Sequence, residues 1–153
     1  MKILESGARI RFQDCDPFAH LNNARYIDYY LNARADQVME EYQIDIFGAT
    51  GISWLVGSNQ IAYFKPAYLN EEVIIESQIF SCTKRYIQVE MRMFNADKSH
   101  LKSFIWVDSI PISLDTHKMT EHPEDLLERL VANTMPLEQK TFEERRAFFL
   151  KTR

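Results

Sequence analysis

Between Asp14 and Tyr26, thirteen consecutive residues carry two carboxylates (Asp14, Asp16), a thiol (Cys15), an imidazole (His20) and two amides (Asn22, Asn23). The longest amphipathic pattern of the chain follows directly. A loop that carries an acid into a helix N-terminus supplies a group able to attack or to take a proton. It also supplies unpaired backbone N–H donors aimed at whatever negative charge develops beside them. Acyl transfer needs both.

The elements that must hold this loop can be read from periodicity. From Asn23 to Gln43, Ile27, Tyr30, Leu31, Ala35, Val38, Met39 and Tyr42 recur at three- and four-residue intervals. That spacing predicts an amphipathic helix about 30 Å long, capped by Asn22 or Asn23. Ala8 to Phe12 reads as a short strand before the loop. After the helix the period drops to two. Strands are expected over 53–64, with Gly57 as a bulge or a point of close approach, over 73–80, over 86–93 and over 103–108. Pro123 opens a short helix through Ala132. The segment from Pro136 to Arg153 reads as a charged helical tail with Phe142, Phe149 and Leu150 on one side. One domain over 1–135 followed by this tail is therefore expected, of class α+β. An antiparallel sheet with one apolar face needs a cover, and the simplest packing curls the sheet around the one long helix. A single helix covers only part of such a sheet, so pairing with a second copy is expected.

Bulk properties narrow the function classes. At 153 residues the chain can bury one sizeable core. A net charge of −4 provides no global field toward nucleic acid or an anionic membrane. Glycines and polar residues interrupt the uncharged stretch from Ile46 to Phe64, so it does not read as a membrane span. The first residues show no apolar run of signal-peptide length, and the expected location is cytoplasmic. Cys15 and Cys82 accordingly read as free thiols.

The chain resembles the 4-hydroxybenzoyl-CoA thioesterase-like family of hotdog-fold enzymes. Three segments carry the resemblance: Arg11-Phe12-Gln13-Asp14-Cys15-Asp16-Pro17, then His20-Leu21-Asn22-Asn23-Ala24-Arg25-Tyr26, and downstream Ile61-Ala62-Tyr63-Phe64-Lys65-Pro66-Ala67. Leu114 to Lys118 is similar to that family's exit from its last strand. The resemblance implies a hotdog fold, an antiparallel sheet wrapped around one long helix. It implies hydrolysis of an acyl thioester, carried by coenzyme A or by an acyl-carrier protein, in a site at the interface of a homodimer or homotetramer. The catalytic carboxylate falls on Asp16, and the backbone N–H that polarises the carbonyl falls near Asn23. Basic residues near the turn at Lys84 and Arg85 would meet coenzyme A phosphates.

A thioester is already activated, so no metal or redox cofactor is needed to cleave it. Asp16 could add to the carbonyl and form an anhydride, or deprotonate a bound water; the sequence leaves both open. His20 could orient Asp16, touch substrate or be structural. Asn22 is a cap or a substrate contact, and Tyr26 a contact or core. Asn59 and Gln60 are polar interruptions of an apolar strand that could line a pocket. Phe12, Phe18, Trp54, Tyr63 and Phe64 could line an acyl pocket. Cys15 reads as a packed thiol.

Other functions are disfavoured by spacing. Asp14, Cys15, Asp16 and His20 could ligate a metal, but no paired-ligand spacing accompanies them. A phosphoryl-transfer Asp-x-Asp pair would follow an apolar parallel strand in a βαβ series, which is missing here. Hotdog hydratases carry Asp and His five apart, whereas His20 is four from Asp16 and six from Asp14. The non-catalytic alternative is a hotdog module that binds acyl thioesters as a sensor or scaffold.

Overall fold

Strict alternation of apolar residues along the second half of the chain yields long strands rather than helices. In the computed structural model, which describes residues 2–42 and 51–152, these strands are β2 (Ile52–Tyr63), β3 (Glu72–Cys82), β4 (Ile87–Asn95) and β5 (Leu101–Ser113). With β1 (Leu4–Arg9) they form one antiparallel sheet in the order β1-β3-β4-β5-β2. The long helix α1 (Tyr26–Tyr42) lies in the concavity of the sheet; α2 (Glu124–Ala132) and α3 (Phe142–Thr152) follow the last strand. No helix among the described residues is long and apolar enough to cross a membrane.

On the helix side, Ile87, Val89, Met91 and Met93 of β4, with Val73, Ile75 and Ile79 of β3, are buried against α1. The helix meets them with Tyr26, Tyr29, Tyr30, Ala33, Gln37 and Val38. This face is rotated from the one expected, since Leu31 and Met39 are exposed. The rotation follows from the tyrosine hydroxyls, each of which finds a partner: Tyr26 accepts from Ala67 N at 3.3 Å, Tyr29 donates to Asp14 Oδ2 at 2.6 Å, and Tyr30 donates to Ser103 Oγ at 2.9 Å. Buried amphipathic side chains with satisfied tips out-compete a purely aliphatic stripe.

The other side of the sheet is also buried. Phe104, Trp106 and Ala62 pack there against Phe142 and Phe149 of α3. Leu150, expected on the same side, is exposed. Among these rings sits Glu90, whose side chain is fully buried. Its Oε1 accepts from Arg92 Nη1 at 2.5 Å and Arg145 Nη2 at 2.7 Å; its Oε2 accepts from Trp106 Nε1 and Arg145 Nε, both at 2.8 Å. Arg92 continues to Glu76 and Gln78, and Gln78 donates to Met135 O at 2.8 Å. The C-terminal segment is thereby tied to the sheet by a bidentate guanidinium pair.

Element boundaries move where local chemistry prevails. β1 ends at Arg9 because the next N–H groups go elsewhere, Ile10 N to Glu71 O at 3.0 Å and Arg11 N to Tyr29 Oη at 2.9 Å. Residues 12–14 then form a 3-10 turn instead of a strand. The helix start at Asn23 is likewise a 3-10 turn, over Asn23–Arg25, before α1 proper; Gln43, its expected end, lies outside the described residues. The β2–β5 register shifts between Val56 and Ser58, at the expected bulge of Gly57.

Candidate active site

The loop from Cys15 to Asn22 closes on itself through the backbone. Cys15 and Leu21 form an antiparallel bridge flanked by Asp16 N to His20 O at 2.8 Å and Asn22 N to Asp14 O at 2.9 Å. Ala19 turns the corner with φ of 61°, a left-handed conformation that costs a non-glycine residue energy. Two further bonds hold the loop from outside, Leu21 N to Ala67 O and Leu69 N to Ala19 O, and Asn70 N to Ile10 O ties the same outer segment to the chain just after β1. Lys102 lies under the supporting segment, almost wholly buried, donating to Pro66 O at 2.9 Å and paired with Glu71 at 3.0 Å.

Within this frame Asp16 is half-buried, and its Oδ1 accepts from Phe18 N at 2.9 Å and His20 N at 3.2 Å. Oδ2 carries no hydrogen bond among the described residues. His20 contributes its backbone to Asp16, and its ring stands edge-on to Tyr68 at 5.0 Å. Asp14, the other carboxylate of the pair, is engaged elsewhere. It accepts from Tyr29, whose phenol is pushed up to about 12 by burial and then by that bond. The Cys15 thiol is also raised, by burial and then by the charges of Asp14 and Asp16, so it is held as a thiol.

The helix start supplies the donors. Asn22 Oδ1 caps Ala24 N at 2.9 Å, and Asn22 O takes Arg25 N at 2.7 Å. That leaves Asn23 N–H without a partner among the described residues. The carbonyl of Asn23 accepts from Tyr63 Oη at 2.9 Å, which fixes this peptide on β2. Replacing Asn22 with Ala is expected to cost about 0.5–2 kcal/mol, read as a lower urea midpoint at unchanged slope.

Tyr26, read as a contact or core, is buried, with its ring against Tyr63 at 5.0 Å. Its phenol is raised chiefly by burial. Asn59 and Gln60 separate: Asn59 lines a cavity on the helix side, while Gln60 falls on the opposite face of the strand, opposite Trp106. Lys84 and Arg85 are exposed at the β3–β4 turn, at the end of β3 away from the Asp16 loop. Of the proposed pocket aromatics, Trp54 lines the cavity. Phe64 lies on the outer face, and Phe12 and Phe18 are exposed.

That cavity, about 160 Å³, begins at Ile27, one turn beyond Asn23. It runs between α1 and the sheet to Val38, Trp54 and Leu130, and its walls are mostly apolar. At its far end the indole N–H of Trp54 donates to His122 Nε2 at 3.0 Å, while His122 Nδ1 donates to Thr83 O at 2.8 Å. Both bonds together require the neutral imidazole. Burial lowers the His122 pKa, against the raising effect of its backbone bonds at Thr83 and Lys84. As pH falls below about 6.5 the unfolded chain takes up this proton before the folded one, so stability is lost on the acid side. His122→Gln is expected to flatten that acid limb in thermal melts between pH 7 and 5.

Composition alone does not reveal Tyr29, Tyr68, Lys102 or His122 as parts of these arrangements. Each acts across a long sequence separation. Among the described residues, no group of three or more His, Cys, Asp or Glu side chains converges as a metal-binding set.

The model of the thioesterase-like superfamily matches residues 10–130, which span the loop, α1, the whole of β2 to β5 and most of α2. The chain belongs to this superfamily. Its thioesterase-like region shares 29% identity over 76 residues with the long-chain acyl-CoA thioesterase FadM of Escherichia coli (strain K12), over 50% of this chain and 58% of that protein. The chain thus spans little more than half the length of this curated relative in the match. Its fold is similar to the crystal structure of YbaW, a probable thioesterase from Escherichia coli, with TM-score 0.75 and 22% identity over 86% of this chain and 99% of that one. It is similar too to SAV2348 from Staphylococcus aureus, solved in complex with CoA, with TM-score 0.76 and 11% identity over 90% and 89% of the two chains. The thioesterase-like fold here is the hotdog fold. Its α3 lies beyond the residues the superfamily model matches.

Proposed function

We propose that the protein hydrolyses acyl thioesters, with Asp16 as nucleophile or general base and the N–H of Asn23 as the carbonyl-polarising donor. One observation carries this reading: an N–H without a partner among the described residues at a helix start, on the same short loop as a carboxylate with one oxygen free, one turn before the first residue that lines an apolar cavity. Membership of the thioesterase-like superfamily and the likeness to FadM support the reaction class.

In the general-base route, Asp16 Oδ2 takes a proton from water as its oxygen adds to the thioester carbon. The carbonyl electrons move onto oxygen against Asn23 N–H; collapse then breaks the C–S bond, and the thiolate recovers the proton from Asp16. In the nucleophilic route Oδ2 itself adds, thiolate leaves, and water opens the mixed anhydride to free acid and Asp16. The macrodipole favours the oxyanion in both.

The acyl chain would follow the cavity along α1. The carrier would be coenzyme A or an acyl-carrier protein; a CoA complex of a structural neighbour supports the former. β2 is an edge strand, with Leu55, Val56 and Ser58 to Gln60 exposed along it. Antiparallel pairing of two copies along this edge would carry Lys84 and Arg85 of the second copy toward the Asp16 loop of the first, within reach of phosphates. His20 and Asn22 would shape the loop more than touch substrate.

The test is thiol release from acyl-CoA and acyl-carrier-protein thioesters of varied chain length, measured for the wild-type chain and for Asp16→Asn. Release that depends on Asp16 supports the reading. Binding without release by the wild type would make the protein an acyl-thioester-binding module.

A further inference from the structure

We propose that Trp54, locked in place by His122, ends the acyl cavity and sets the longest chain the protein accepts; this rests on the thioesterase reading above. The cavity begins at Ile27, one turn beyond the proposed carbonyl site, and its lining among the described residues extends to Trp54, Val38 and Leu130. Along α1 this run measures about 16 Å. The wall residues in between are mainly Ile, Val, Met and Leu, so they discriminate little by chemistry.

Trp54 differs from the other wall residues in two ways. It is the largest side chain at the end of the cavity away from Ile27, and a polar bond fixes its ring. The indole N–H is bound at 3.0 Å by His122 Nε2, and His122 is itself clamped by Nδ1 on Thr83 O at 2.8 Å and by its own backbone N–H on Lys84 O at 2.8 Å. The two rings lie 6.0 Å apart, tilted by 38°. An aliphatic wall residue can change rotamer to admit a longer chain. The Trp54 ring cannot swing aside without leaving a buried imidazole nitrogen unpaired. His122 is therefore a positioning residue, and Trp54 the one that meets the chain end.

The experiment uses the intact chain, two readouts and four variants: Trp54→Ala, Trp54→Phe, His122→Leu and His122→Gln. The first readout is kcat/KM across acyl-CoA esters of increasing length. The second is calorimetric binding of S-alkyl coenzyme A thioethers of the same lengths, which needs no hydrolysis. Thermal melts identify variants that fold. The wild type is expected to gain about fourfold in affinity per added methylene up to a limit and to lose affinity beyond it. Trp54→Ala should move that limit outward by several carbons, and Trp54→Phe should move it less. His122→Leu should blur the limit, whereas His122→Gln, which can accept from the indole and donate to Thr83 O, should restore it.

An unchanged length limit in folded Trp54→Ala and Trp54→Phe overturns the proposal, as does a His122→Leu profile identical to wild type. If thioethers bind with a limit that Trp54→Ala shifts while no ester is hydrolysed, the ruler stands and the hydrolase reading falls. If no thioether binds, both fall.

Discussion

Asp16→Asn is expected to lower kcat for acyl thioesters by about 10²–10⁴-fold while leaving KM within a few-fold of wild type. The substitution is suited to the geometry. The two backbone donors on Asp16, Phe18 N and His20 N, both use Oδ1, and an amide oxygen can occupy the same place. The loop should therefore keep its shape, and the melting temperature should stay close to that of the wild type. What disappears is the negative charge and basicity of Oδ2, the oxygen proposed to add to the thioester or take the proton of water. Asp14→Asn makes the informative contrast. Asp14 is bonded by Tyr29, so its loss should be felt in stability and through the Arg11–Tyr29 link more than in the chemical step. A fully active Asp16→Asn enzyme would remove the proposed mechanism.

Arg145→Ala is expected to destabilise the protein by about 3–5 kcal/mol, because it strips the bidentate partner from a carboxylate that no water reaches. For a chain of this size that corresponds to a fall in melting temperature of roughly 10 °C or more. Arg92 and Trp106 would remain on Glu90, but Arg92 is already shared with Glu76 and Gln78. The double variant Glu90→Gln with Arg145→Met should recover much of the loss, since a buried neutral pair avoids the desolvation that an unpaired ion suffers. Equal stability of Arg145→Ala and wild type in urea unfolding would show that the pair is unimportant.

The architecture is largely legible in the sequence because its signals are local and repeated. Ile87, Val89, Met91 and Met93 alternate without interruption, and they form a strand buried as that alternation requires. Gly57 marks its bulge because a lone glycine in a strand has few other reasons to be there. The buried face of α1 is harder to read and departs from its aliphatic stripe. Tyr26 and Tyr29 count as apolar only once their hydroxyls have partners, and those partners, Ala67 and Asp14, lie in other segments. The same limit applies to the outer face of the sheet. Nothing near Glu90 or Arg92 in sequence tells that Arg145 will bury them. In the site, the loop acid and the helix cap are local and readable. The separation of Asn59 from Gln60 follows from the alternation of neighbouring side chains across a strand, whereas the role of His122 depends on a contact with Trp54, sixty-eight positions away.

The C-terminal helix has a consequence for how copies of this chain can meet. Hotdog sheets present a broad convex back, and here that back is already upholstered from within, by Phe142 and Phe149 on Phe104 and by the Arg145 guanidinium on Glu90. Any back-to-back stacking of two sheets would first have to peel this layer away and expose an ion that the fold keeps dry. Were two copies to meet, the rim of the sheet, and not this covered back, would be the surface left for pairing.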